Sequence, residues 1–131
     1  MTAWMHQTLS ARSAQVALGV ASGFGFALLA YLLMGQSVGP TQLFPYQDKV
    51  LHFLAFAGVT GPAILALPRR YWMFWLSHMV LVAVGTEYFQ GLVYAERTAS
   101  VWDALADIAG IATAALIGGQ IRRVVTARFG D

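Results

Sequence analysis

The sequence predicts an all-α membrane protein, a compact bundle of four transmembrane helices with short loops and both termini cytoplasmic. Three observations lead there. Hydrophobic residues make up 58% of the 131-residue chain and charged residues 11%, against roughly 25% charged in soluble domains. The apolar residues gather in four runs, 14–34, 50–67, 71–94 and 101–121, each 18 to 24 residues long; about 20 residues at ~1.5 Å per residue cross ~30 Å of hydrocarbon. Six of the eight basic residues (Arg12, Arg69, Arg70, Arg122, Arg123, Arg128) fall on one side of those runs, and only Lys49 and Arg97 on the other. Basic residues in short loops mark the cytoplasmic side. A chain of this length has room for one domain, 1–131.

Residues 1–13 form a short arm with Trp4 and His6 at the interface. The first run follows Arg12 and imitates a secretory signal, but it exceeds the roughly 7 to 15 apolar residues of a signal core, so it reads as an anchor. Gly19, Gly23 and Gly25 in GVASGFG suit close helix packing. GQSVGPTQLFPYQ, with two prolines and two glycines, reads as an ordered outer connection that enters the second helix through Asp48 and covers whatever lies beneath. Gly61 and Pro62 predict a kink late in that helix. The turn LPRRYW reverses the chain, with YWMFW as an interfacial aromatic belt, and YAERTAS is a comparably short outer turn in which Glu96 is solvated.

The chain has no cysteine, which excludes disulfides, thiolate metal sites and a cysteine nucleophile. It carries no internal repeat, heptad pattern or phosphate-cradling glycine loop. The net charge of +2 reflects a basic inner rim that topology and lipid headgroups explain, without nucleic acid.

The polar residues that interrupt the runs carry the functional signal. An ionisable side chain inside a bilayer costs at least ~2.5 to 3.5 kcal/mol on insertion scales, so such residues face inward, pair and serve function. Asp48 and His52 are four residues apart, Glu87 and Gln90 three, Asp103 and Asp107 four; each pair shares a helix face. In the fourth helix that face continues through Gly110, Ala114 and Gly118, a small-residue stripe suited to another helix rather than lipid. Helical rise places Glu87 and Asp107 roughly 10 Å below the outer surface, with Lys49 and Arg97 at the rim.

These residues suit three chemistries. Buried carboxylates beside a histidine suit acid/base work; the same groups suit a divalent metal, held by His52, Glu87, Asp103 and Asp107; and cations at the rim suit an anionic headgroup, which arginine grips in a fork. The plain alternative is an ion network that only fixes helix register. His78, about 13 Å from Glu87 by helical rise, reads as a packing histidine.

At these residues the chain resembles the VanZ-like family of small bacterial membrane proteins. The similar elements are DKVLHFLAF at 48–56, EYFQ at 87–90, Arg97, and DALADIAG at 103–110. The resemblance runs from Asp48 to Gly118 and leaves out most of the first helix. It puts weight on Asp48, Lys49, His52, Glu87, Gln90, Arg97, Asp103 and Gly110, and departs at Asp107, where the family more often has asparagine. It implies a multi-pass protein of the bacterial cytoplasmic membrane, in a setting of glycopeptide-antibiotic resistance or envelope polysaccharide.

The leading expectation is an outward-facing site that binds or modifies an anionic lipid-linked cell-wall or polysaccharide intermediate. His52, Glu87 and Asp103 are its candidate catalytic residues, and Asp48, Lys49, Gln90, Arg97 and Asp107 its candidate substrate contacts. Lys49 and Arg97 would hold a phosphate-like group, His52 and Glu87 exchange protons, and Asp103 and Asp107 orient His52 or hold a divalent metal. Enzyme or not is left open. The alternatives are a non-enzymatic accessory protein that stabilises a partner or a second copy, and an ion-coupled transporter, which the absence of a polar route past His78 disfavours.

Overall fold

In the computed structural model, which describes residues 3–34, 43–93 and 99–129, the chain is all-helical, with no strand among the described residues. α1 spans Ala3–Met34, α2 Gln47–Ala66, α3 Trp72–Val93 and α4 Val101–Phe129, with a single 3-10 turn, Arg69–Tyr71, between α2 and α3. Two segments, α2 and Val101–Arg128 of α4, are long and apolar enough to cross a membrane, each with a mean hydropathy of 1.5. α3 is 22 residues long, and its apolar run is interrupted by His78, Glu87 and Gln90.

The helices outrun the apolar stretches at their ends. α1 starts at Ala3 rather than near 14, and α4 continues to Phe129 through Arg122, Arg123 and Arg128. Hydropathy reports where a helix meets an apolar medium, whereas backbone hydrogen bonding continues into polar sequence when no proline or glycine stops it. α2 likewise runs unbroken through Pro62.

α2 is the central element, packed against α1, α3 and α4. It runs parallel to α4 and nearly in register: Lys49 meets Asp103, His52 meets Asp107, and Gly118 faces Ile64. The glycine stripe of α4 is what permits this. A Cβ on Gly110 would fall on the Phe53 carbonyl oxygen and lie 3.2 Å from the Ala57 nitrogen, so α4 touches the α2 backbone directly there. Ala114, between the two glycines, is buried.

α1 packs antiparallel to α2, held by a buried hydrogen bond from the Ser22 hydroxyl to the Val59 carbonyl at 3.0 Å. Of the three glycines in GVASGFG only Gly25 sits tightly on α2, beside Val59; Gly19 and Gly23 have open space and line an apolar cavity of about 420 Å³ with Ala63, Ala66 and Trp75. Leu29, Phe56, Val59, Met79, Ala83 and Ile111 form the buried apolar cluster where the four helices meet.

The α2–α3 turn is held by side chains of α3 and α4. The Leu67 carbonyl accepts hydrogen bonds from Trp72 Nε1 at 3.1 Å and from the Arg122 guanidinium, and Arg69 and Arg122 both stack near the Trp72 ring. That basic end also holds a cavity of about 620 Å³ lined by Arg69, Trp72, Arg122 and Arg123.

Candidate functional site

The start of α2, the end of α3 and the start of α4 lie at one end of the molecule, because α2 and α4 run parallel and Glu87 of α3 meets Ser100 just before α4. Each helix contributes a polar face there. α4 begins with Ser100 as its N-cap: the Ser100 hydroxyl accepts from the Asp103 backbone N–H at 3.2 Å, which satisfies a donor left open in the first turn. In the usual capping box the third helical residue returns a bond to the N-cap N–H. Here Glu87 of α3 does so instead, its Oε2 accepting from the Ser100 N–H at 3.1 Å. The Asp103 carboxylate is thereby left to Lys49.

Gly91 makes this exchange geometrically accessible. A Cβ there would lie 3.1 Å from the Ala99 nitrogen, a tight contact, so the bare glycine lets Ala99 lie against α3 without shifting away from Glu87.

The sequence-predicted residues divide into two layers. In the outer layer, Lys49 Nζ lies 2.9 Å from Asp48 Oδ2 and 3.0 Å from Asp103 Oδ1, with Lys49 and Asp48 partly open and Asp103 nearly closed. In the inner layer, one helical turn deeper, His52 Nδ1 lies 2.9 Å from Asp107 Oδ1 and 3.8 Å from Glu87 Oε1. All three inner residues are buried, Asp107 completely. Gln90 is buried on the same face of α3, one turn beyond Glu87.

Asp103 and Asp107 therefore have different partners. The sequence offers both as groups to orient His52 or hold a metal; the structure pairs Asp107 with His52 and Asp103 with Lys49. Asp48 is in the first turn of α2 but is not its cap. That position belongs to Tyr46, in a left-handed conformation (φ 63°) with no capping side-chain bond, and the Gln47 side chain closes the turn by accepting from the Leu43 N–H. His78 is exposed on α3 beside Trp75 rather than packed inward. Arg97, Glu96 and most of the outer connection before Leu43 lie outside the described residues.

Ser100 is the site residue that sequence reasoning missed. Its signal is the S-x-x-D spacing of Ser100 and Asp103 at the head of an apolar run, a capping-box pattern. The inner layer is also incompletely satisfied: Glu87 Oε1 and Asp107 Oδ2 are buried with no hydrogen-bond partner, a condition that costs about 1 to 3 kcal/mol per group. One ligand atom from each of His52, Glu87 and Asp107 lies within 4.8 Å of the other two.

Fold and site together define an all-helical protein, with two helices suited to a membrane, that carries a histidine–dicarboxylate cluster buried between three helices. Comparison with protein-family models, curated proteins and solved structures finds no match to the chain.

Proposed function

We propose that the chain is a four-span, VanZ-like protein of the bacterial cytoplasmic membrane, with both termini cytoplasmic and its polar end facing outward. There it binds or modifies an anionic lipid-linked intermediate of the cell wall or an envelope polysaccharide. The observation that carries this reading is the layering: a partly open cation, Lys49, directly above a closed histidine–dicarboxylate cluster. A phosphate-bearing headgroup suits the outer layer and proton exchange suits the inner one. Exposed apolar side chains on every helix, such as Phe24, Leu54, Leu81 and Leu116, support a lipid surround.

In this reading Lys49 and Arg97 hold the anionic group, and Asp48, the more open of the two carboxylates on Lys49, gives way to it. His52 and Glu87 exchange protons with the bound molecule, and Asp107 holds the imidazole in place. A second reading, an accessory protein that stabilises a membrane partner without turnover, draws on one fact: Lys49 is already neutralised by two carboxylates.

The test is binding of a polyprenyl phosphate, against the neutral polyprenol, to the protein in lipid nanodiscs. Wild type should prefer the phosphate, Lys49→Gln should lose that preference, and His52→Asn and Glu87→Gln should insert and purify but lose any envelope or antibiotic phenotype. Full retention in all three variants moves the protein to the accessory reading. Failure of His52→Asn and Glu87→Gln to fold assigns the cluster to structure alone.

A further inference from the structure

Glu87 and Asp107 bring two buried carboxylates to a single imidazole. Each also presents an oxygen, Glu87 Oε1 and Asp107 Oδ2, that meets no donor. Lys49, a described cation at the same end, is engaged by Asp48 and Asp103. One imidazole faces two carboxylates, so among the described residues at most one positive charge meets two buried acids, and the two unpaired oxygens are left for a further counter-charge.

The donor geometry suits a metal ion as that counter-charge. His52 Nδ1 faces both carboxylates, at 2.9 Å from Asp107 Oδ1 and 3.8 Å from Glu87 Oε1. A tetrahedral dication with bonds of ~2.0 to 2.2 Å to nitrogen and oxygen separates neighbouring donors by about 3.4 Å, between the two observed spacings. The three ligand atoms already lie within 4.8 Å of one another, so closing on an ion calls for side-chain rotation rather than a new backbone arrangement.

We propose that His52, Glu87 and Asp107 bind one divalent transition-metal ion, with a further coordination position open to water or to an oxygen of the bound ligand. This rests on reading the cluster as a ligand site, and it names what that site holds. One imidazole with two carboxylates suits zinc or manganese better than calcium, which takes six to eight oxygens, or magnesium, which keeps its waters. Three protein ligands leave a position open, as in catalytic rather than structural zinc sites. Asp103 is outside the set, because Lys49 holds it one turn above.

The full chain is purified in detergent, stripped with a chelator and titrated with Zn²⁺ by calorimetry, with bound metal counted by mass spectrometry. Wild type should take up one ion per chain. Affinity should fall in His52→Asn, Glu87→Gln and Asp107→Asn by at least the roughly 10- to 100-fold that losing even a supporting group costs, while Asp103→Asn and His78→Asn bind as wild type. No uptake by wild type, uptake that survives in all three ligand variants, or an equal loss in Asp103→Asn would overturn the assignment.

Wild type alone supplies a second readout that does not depend on the variants folding: Zn²⁺ should raise its Tm, and an unmoved Tm counts against the site. Polyprenyl phosphate binding is measured in parallel on stripped and on Zn²⁺-loaded protein. Lipid binding without metal uptake removes the ion and leaves the lipid reading standing; metal uptake without lipid binding does the reverse.

Discussion

Asp107 has no solvent-exposed surface, while Asp103, one turn earlier on the same face of α4, keeps 9% of its side chain open and meets Lys49. That difference in depth sets what each can be replaced by. Asp107→Ala removes the group 2.9 Å from His52 Nδ1 and leaves a buried ring nitrogen unpaired, so it should lower stability by about 1 to 3 kcal/mol. Asp107→Asn keeps an oxygen in reach of the ring and removes one of two crowded negative charges, so it should cost less than about 1 kcal/mol. Thermal melts in detergent with chelator present compare the two without metal, and a loss in Asp107→Ala as small as that expected for Asp107→Asn, under about 1 kcal/mol, would mean that the ring contact contributes little. The sequence offers both aspartates to orient His52 or hold a metal; their depth along α4 and its register with α2 separate their partners.

At the scale of elements, the site depends on how closely α4 lies on α2. Gly110 is three residues from Asp107 and abuts the backbone of Phe53 and Ala57, whereas a Cβ on Gly118 would lie 2.9 Å from the Ile64 Cγ2 methyl, a side-chain atom. A backbone cannot step aside as a side chain can. Gly110→Ala should therefore push the helices apart at the site end and cost about 1 to 3 kcal/mol, and it should weaken the His52 cluster with it. Gly118→Ala should cost less, and Gly23→Ala, whose Cβ meets nothing within 4 Å, should stay within about 0.5 kcal/mol. Melting temperatures of the three variants rank them; a Gly110→Ala protein as stable as Gly23→Ala would show that the α2–α4 contact is loose.

For the whole molecule, the six-to-two division of basic residues and the parallel run of α2 and α4 agree in placing the Arg69, Arg122 and Arg123 end opposite the His52 end. If the basic end is cytoplasmic, a membrane-impermeant thiol reagent applied from outside should label Gln42→Cys and spare Arg128→Cys. The chain has no native cysteine to interfere. The reverse labelling would invert the topology and place the buried cluster at the cytoplasmic side, where a periplasmic substrate could not reach it.

The sequence by itself determined the helical class and the three polar pairs, because composition and i, i+4 spacing act locally along a helix. The glycine stripe of α4 was legible for the same reason: small residues on one face have a packing consequence whatever lies opposite. Which carboxylate meets which cation depended on the register between α2 and α4, which no single helix encodes. The tertiary structure decided that Asp107 faces His52, that Asp103 is drawn outward to Lys49, and that Glu87 spends one oxygen on the Ser100 N–H and leaves the other unpaired. Those pairings arise where three helix ends converge, since distances of about 3 Å between residues some fifty positions apart follow from packing rather than from pattern.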